Sequence, residues 1–275
     1  MLILFSYTLS ACQNHVITTN STKATNPPKE NTFTPKTDIK SPQLTINVEE
    51  DTIKEVLIPA ITKDKFTEGV WIKKYPGNYN CFEFLKKNGY QIICDPYNID
   101  DDCNPDLVME SHQHGDHTDT TIFKKPYELI KEPGNYSYDH ISIRGFSGKH
   151  NSGDEEGTNN IYVFNIDGIT MAEFGSQGEV PKNEMLKQIG PVDVLFIQIF
   201  SNTGYGKLEV KDIDSIVKYL KPKIIIPEHG REGIEQQLAI HMKLDEVYKT
   251  SGTLNVTRTM LDSIKEVRII SLDND

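Results

Sequence analysis

The chain has 275 residues and carries 29 Lys and Arg against 40 Asp and Glu, a formal net charge of −11. Proteins that bind nucleic acid normally present a basic surface, so this balance argues against a nucleic-acid partner. Hydrophobic residues make up 37% of the chain, which allows a globular core. No apolar run reaches the roughly 18–20 residues of a membrane-spanning helix, which excludes a polytopic membrane protein.

The first twelve residues resemble an export signal. Residues 2–11 form a short apolar stretch whose length is typical of a secretory signal. Leu9-Ser10-Ala11-Cys12 resembles the lipobox of bacterial lipoproteins, which are cut before a cysteine that then carries the lipid. No basic residue precedes the apolar stretch, so a start codon further upstream, or a buried N-terminal strand, remains an alternative. We expect a lipid on Cys12 that anchors the protein in the bacterial cell envelope, outside the cytoplasm and otherwise clear of the membrane.

Residues 13–50 are rich in Thr, Asn, Pro, Lys and Ser and nearly lack large apolar side chains. Such a segment cannot bury enough surface to offset its ordering entropy, so we expect a disordered tether. Its four lysines and four acidic residues cancel, which leaves nearly all of the net charge on residues 51–275. This last stretch is the expected folded domain.

The first half of that domain has the pattern of strands and hairpins. Apolar or alternating stretches predict strands at 69–75, 81–85, 90–94, 106–110, 140–144, 161–166 and 169–172. Asn88-Gly89 and Asp167-Gly168 each separate two of these strands and predict tight hairpins.

The second half changes to an alternation of strands and helices. Buried strands are predicted at 192–199 and 224–226, and a closing strand at 267–270. Apolar residues at helical spacing predict helices over 210–220 and 233–248, the first stopped by Pro222. The order of elements predicts an α+β domain with two sheets packed face to face and helices outside.

Three cysteines follow the tether: Cys81, Cys94 and Cys103. Outside the cytoplasm a pair such as Cys94 and Cys103 could form a disulfide. In the other interpretation, which we favour, Cys81 and Cys94 are small buried strand residues.

The segment that carries chemistry is Ser111-His112-Gln113-His114-Gly115-Asp116-His117, directly after a predicted strand. Neutral imidazoles and carboxylates are natural ligands for zinc, iron or manganese. Gly115 allows a sharp turn, so Asp116 and His117 can face a position beside the first two histidines. The segment therefore predicts ligands for two neighbouring metals, against the alternative of a solvated polar loop.

This segment resembles the HxHxDH motif of the metallo-β-lactamase-fold hydrolases. Asp95-Pro96 is similar to the aspartate upstream of the motif in that family, and His150 stands where its third histidine falls. Ile224-Ile-Ile-Pro-Glu-His229-Gly230 resembles the late strand that ends in the family's last histidine. The resemblance covers about residues 66–272 and looks closest to the branch that contains ascorbate-phosphate lactonase.

The resemblance implies an αββα sandwich of two mixed sheets with helices on both outer faces and metals at one edge. It also implies one or two zinc ions, with manganese or iron as alternatives. Asp95 would orient a ligand histidine. The implied ligands are His112, His114 and His150 for the first metal, and Asp116, His117 and His229 for the second.

One position departs from the family. Many members carry a bridging aspartate where this chain has Ser176, and a histidine where it has Glu173. A neutral serine is a poor metal ligand, so we expect the second metal to bind more weakly than the first. The strand pattern leaves open whether Glu173 faces the site.

The implied activity is hydrolysis of an ester, lactone or phosphodiester bond in a small-molecule substrate by metal-bound hydroxide, because paired metals lower the pKa of bound water. Asp116 would hold the nucleophile and carry its proton. A two-iron oxidoreductase is disfavoured, since Gln113 stands where that group typically has glutamate. A non-catalytic metal-binding or partner-binding surface lipoprotein with a degraded second site, suggested by Ser176, is the remaining alternative.

Overall fold

The computed structural model describes residues 53–77, 80–99, 103–152, 155–200, 208–228 and 233–273. Cys12, the signal and the tether lie outside these residues. They stay predictions, as does the domain boundary at residue 50. Within the described part, no helix is long and apolar enough to cross a membrane.

Strands dominate the first part of the chain. They are β1 (Lys54–Leu57), β2 (Val70–Lys74), β3 (Phe82–Lys86), β4 (Gln91–Cys94), β5 (Leu107–Met109), β6 (Glu128–Ile130), β7 (Gly134–Tyr138), β8 (Ile141–Ser152), β9 (Glu155–Ile166) and β10 (Ile169–Glu173). Helices and strands then alternate as α1 (Asn183–Ile189), β11 (Val194–Gln198), α2 (Ile213–Leu220), β12 (Ile224–Glu228), α3 (Ile234–Met242), β13 (Glu246–Ser251), β14 (Thr253–Val256), α4 (Arg258–Ser263) and β15 (Arg268–Asp273).

These strands form two mixed sheets. The larger sheet has the spatial order β1-β13-β15-β12-β11-β10-β9-β8-β7, and the smaller has the order β14-β2-β3-β4-β5-β6. The larger sheet is parallel from β1 to β10 and antiparallel from β10 to β7. The smaller sheet is antiparallel from β14 to β4 and parallel from β4 to β6.

Both predicted hairpins form. Strands β3 and β4 pair antiparallel across Asn88-Gly89, and β9 and β10 pair antiparallel across Asp167-Gly168. Asp167 and Gly168 have φ of 49° and 83°, which is the left-handed pair that a two-residue hairpin of this type requires.

The two sheets pack face to face around a continuous apolar core. Phe82 and Phe84 of the smaller sheet meet Phe196 of the larger edge to face, with ring centroids 4.9 and 5.3 Å apart. Strand β12 is buried on both faces: Ile226 faces the smaller sheet, and Ile225 packs with the apolar residues of α1, α2 and α3. The predicted arrangement of two mixed sheets with helices is confirmed.

One predicted helix is too long. Helix α3 ends at Met242, because Lys243 takes a left-handed conformation with φ of 58° and caps it. Residues from Glu246 form β13, which pairs in parallel with both β1 and β15. Helix α1 was not predicted, and β8 runs well beyond the strand predicted at 140–144.

The three cysteines after the tether are buried free thiols, with no disulfide among the cysteines that the structure describes. Cys94 lies in β4 and faces the core between the sheets, while Cys81 and Cys103 pack with Tyr75 in a smaller cluster. The interpretation of Cys81 and Cys94 as small buried residues is the one that the structure shows.

Candidate metal site

Three histidines predicted to hold the first metal meet at one edge of the sandwich. His112 and His114 follow β5 of the smaller sheet, and His150 lies near the end of β8 in the larger. One ring nitrogen from each lies within 4.8 Å of the others. The ring centroids are 4.6–4.7 Å apart, so the three imidazoles surround one point.

His112 is held in the form that binds a metal. Its Nδ1 lies 2.9 Å from Ser111 Oγ, and that hydroxyl donates to Asp95 Oδ2 at 2.5 Å. Because the hydroxyl proton is used on Asp95, the imidazole Nδ1–H must donate to Ser111 Oγ. Nε2 therefore keeps its lone pair, and it is buried with no hydrogen-bond partner among the described residues.

Burial also keeps this imidazole neutral. It lowers the pKa of His112 to about 3, with the nearby histidines adding to the effect and Asp95 opposing it. A buried, neutral nitrogen without a partner is costly unless something binds it. The residues present therefore fit a metal ion at this point.

Asp95 supports the site from beneath and is fully buried. Its Oδ1 accepts the Ser111 backbone N–H at 2.6 Å, and its Oδ2 accepts Ser111 Oγ and lies 3.4 Å from His117 Nδ1. Asp95, His112 and His117 are also close enough to hold an ion themselves. Since both Asp95 oxygens are already used, the geometry favours orientation of His112 and His117, as the resemblance implied.

The predicted second set is described only in part. His117 Nε2 lies 3.8 Å from Asp116 Oδ1, and the Asp116 side chain is 43% exposed. Burial acts to lower the pKa of His117, but the hydrogen bond and charge of Asp95 outweigh it and raise the pKa. His229 lies outside the described residues, so its role stays a prediction.

Neither Ser176 nor Glu173 joins a group of potential metal ligands among the described residues. Ser176 is buried in the segment after β10, and Glu173 is turned into the interior, where its Oε1 accepts the Gly175 N–H at 2.9 Å. Burial and the charge of Asp95 raise the pKa of Glu173 to about 8. Burial and Glu173 likewise raise the pKa of Glu228 well above its ordinary value. Neither glutamate belongs to a ligand group among the described residues.

Sequence reasoning missed several polar residues around the histidines. Ser111 was part of the motif but had no assigned role. Glu228, the last residue of the apolar strand β12, was not considered as a buried charged residue. A charged residue in such a strand is itself a signal, because isolated buried charges are rare. The adjacent Asn159 and Asn160, at the start of an apolar run, are a similar signal.

Residues 75–229 match the model of a family described as the beta-lactamase superfamily domain. This match covers more than half of the chain. The chain belongs to the beta-lactamase superfamily. The predicted family resemblance is thereby confirmed.

Individual members of the beta-lactamase superfamily are distant. A UPF0173 metal-dependent hydrolase of Carboxydothermus hydrogenoformans is 23% identical over 181 residues, covering 53% of this chain and 79% of the relative. A solved Thermotoga maritima protein, assigned as a Zn-dependent hydrolase of the metallo-beta-lactamase superfamily, has a TM-score of 0.58 and 24% identity, covering 74% of this chain and 98% of its own. CmlA, a diiron beta-hydroxylase of Streptomyces venezuelae, has a TM-score of 0.51 and 11% identity, covering 69% of this chain and 54% of its own. At these identities the structures show a shared fold, and the lactonase branch stays a prediction.

Proposed function

We propose that this chain is a metal-dependent hydrolase that cleaves an ester, lactone or phosphodiester bond in a small-molecule substrate. The observation that carries the proposal is the histidine trio around one point, with His112 Nε2 buried, neutral and unpartnered among the described residues. The name of the UPF0173 relative, a metal-dependent hydrolase, supports the same reaction class.

In this proposal His112, His114 and His150 hold the first ion, and Asp116, His117 and His229 hold the second. Imidazole nitrogens with a carboxylate suit zinc best, with manganese or iron as alternatives. When bound, such ions polarise the oxygen of a carbonyl or phosphoryl group and lower the pKa of water.

Asp116 is proposed as the residue that handles the proton. Its carboxylate is partly exposed, so it can reach a substrate, and it lies beside the buried His117. The turn that carries it is fixed by the His117 N–H donating to His114 O at 3.0 Å. Such a carboxylate can accept a proton from water and pass it to the leaving group.

The second ion is proposed to bind more weakly than the first. Ser176 brings no negative charge to the pair, and Glu173 is fully buried with its Oε1 bound to the Gly175 N–H. A titration showing two equally tight sites would contradict this step.

The experiment measures metal content and turnover together on the full chain. Elemental analysis should find about one or two ions per chain, and added zinc or manganese should support cleavage of generic lactone or phosphodiester substrates. The His114→Ala variant should lose both the bound metal and the turnover. The matched control is His241→Ala on α3, whose side chain pairs with Asp214 away from the site and should leave both unchanged.

Two results would separate the alternatives. Tight metal binding without turnover of any substrate class would favour a non-catalytic metal-binding or partner-binding protein, the alternative that Ser176 suggests. Absence of metal after growth in supplemented medium would remove the basis of the hydrolase proposal.

The location is a separate proposal. It rests on the resemblance of Leu9-Ser10-Ala11-Cys12 to a lipobox. We expect the full chain to incorporate labelled fatty acid and to sediment with bacterial membranes, and Cys12→Ser to do neither. A parent chain that takes up no label would overturn the proposal of a lipid anchor and would leave the metal proposal unaffected.

A further inference from the structure

Strand β9 touches every described segment that carries a predicted first-metal ligand. Its two adjacent amides, Asn159 and Asn160, are both buried, and neighbouring residues on a strand point to opposite faces. Each amide therefore reaches a different part of the site.

Asn160 holds the base of the histidine loop from the opposite sheet. Its backbone N–H donates to Ser111 O at 2.7 Å, and its side-chain Nδ2 donates to Lys131 O at 2.9 Å and to Glu110 O at 3.5 Å. Two residues further along the same face, the Tyr162 hydroxyl donates to Glu110 O at 3.0 Å. The backbone directly before His112 is thus fixed to β9 and cannot shift without breaking these bonds.

Asn159 holds the opposite side. Its Nδ2 donates to Phe174 O at 2.8 Å and to Gln177 Oε1 at 3.1 Å. Gln177 Oε1 also accepts the Lys149 backbone N–H at 3.1 Å, one residue before His150. Asn159 therefore ties the segment containing Ser176 to the strand that carries His150.

The segment after β10 packs tightly against the loop that carries His112. A Cβ at Gly175 would lie 2.4 Å from Ser111 Cβ and 2.7 Å from Asn159 Oδ1. His150 itself lies opposite Gly157 in the pairing of β8 with β9. The distance between the His112–His114 loop and His150 is consequently set through β9.

We propose that Asn159 and Asn160 are positioning residues for the first metal ion: together they fix the separation between the loop of His112 and His114 and the strand of His150. The inference rests on the metal-binding part of the proposed function. Partners that orient ligands are worth about 10–100-fold in metal affinity. A purely structural role would instead lower stability without changing how an ion is held.

The test compares Asn159→Ala and Asn160→Ala with Lys86→Met in the full chain. Alanine at position 160 keeps the backbone bond to Ser111 O and removes the side-chain bonds to Lys131 O and Glu110 O. Lys86 lies at the other end of the sandwich, where its ammonium donates to Asp139, so its loss should lower stability alone. The readouts are the zinc affinity in competition with a chromophoric chelator and the visible absorption spectrum of the cobalt-loaded protein. Both asparagine variants should lose about 10–100-fold in affinity and show an altered cobalt spectrum. Lys86→Met should match the parent in both.

Unchanged affinity and spectrum in the asparagine variants would overturn the inference while leaving the metal site standing. Equal losses in Lys86→Met would also overturn it, because the effect would then follow stability. A parent chain that binds neither zinc nor cobalt would instead overturn the proposed function. If Asn160→Ala does not fold, Tyr162→Phe tests the same support, since it removes the hydroxyl that donates to Glu110 O, the carbonyl that Asn160 Nδ2 also contacts at 3.5 Å. A shifted cobalt spectrum supports the inference, and an unshifted one overturns it.

Discussion

The two ends of the sandwich bury polar groups in opposite ways. At one end, Lys86 Nζ donates to Asp139 Oδ2 and Asp139 O at 2.9 and 2.8 Å and lies 3.7 Å from Asp167 Oδ1. At the other end, His112 Nε2 is buried with no hydrogen-bond partner in the described part of the chain. A satisfied buried charge holds turns together, whereas an unsatisfied buried nitrogen costs free energy that a bound ligand can recover. The contrast distinguishes a structural end from the proposed binding end, which carries the histidines.

The largest expected effect is the loss of stability when a methyl group is added at Gly175, compared with the same addition at Gly89 at the other end. Gly175→Ala places Cβ against Ser111 and Asn159 on a residue with φ of 55°, so it should lower the free energy of unfolding by about 2–5 kcal/mol. Gly89→Ala, the matched control in a hairpin at the Lys86 end, has φ of 91° but nothing within 4 Å of the added Cβ. It should cost only about 1–2 kcal/mol. Urea unfolding of both variants checks this, and equal costs would show that the binding end is not tightly packed.

The next effect breaks the support beneath the histidines. Asp95→Asn removes the charge that faces His117 and weakens acceptance from Ser111, so metal affinity should fall by about 10–100-fold. Competition with a chelator measures it. The control Asp139→Asn removes a carboxylate at the opposite end and should leave affinity at the parent value. A parental affinity in Asp95→Asn would mean that His112 is oriented without its buried partner.

The structural end was more predictable from sequence than the binding end. Asn88-Gly89 and Asp167-Gly168 predict their hairpins because the local backbone preference of these residue pairs determines where the chain turns. The HxHxDH spacing likewise predicted His112 and His114, and the structure brings His150 to them from the other sheet. The hydrogen bond of the Asn160 N–H to Ser111 O joins residues 49 positions apart, one in the larger sheet and one in the loop after β5 of the smaller sheet. Such contacts arise only from tertiary packing, so local pattern could not reveal them. The same applies to β13, whose strand state depends on its neighbours β1 and β15.

The next effect is a dependence of stability on pH, which we expect from the buried Glu173 near the histidine end. In the unfolded chain Glu173 ionises near its ordinary pKa of 4.5, but in the folded state burial and the charge of Asp95 raise its pKa to about 8. The folded state therefore binds more protons between these values, so stability is highest below the lower pKa and falls as the pH rises through this window. Glu173→Gln cannot ionise and should raise Tm by several degrees at pH 9 while changing it little at pH 4. The exposed Glu184→Gln on α1 is the control. Parallel pH profiles for Glu173→Gln and the parent would contradict burial of an ionisable Glu173.

The smallest expected effect is at the satisfied end. Lys86→Met keeps the apolar stem but removes the ammonium from Asp139 and Asp167, whose side chains are 29% and 49% exposed. Water can solvate these carboxylates once the ammonium is gone, so the loss should be only about 1 kcal/mol in the free energy of unfolding. Thermal unfolding of the metal-free protein measures that loss, and it should diminish at high salt because the partners are solvent-facing. A metal affinity that fell together with stability would show that the two ends are coupled through the sheets. An unchanged affinity would mean that the polar groups of each end act on their own.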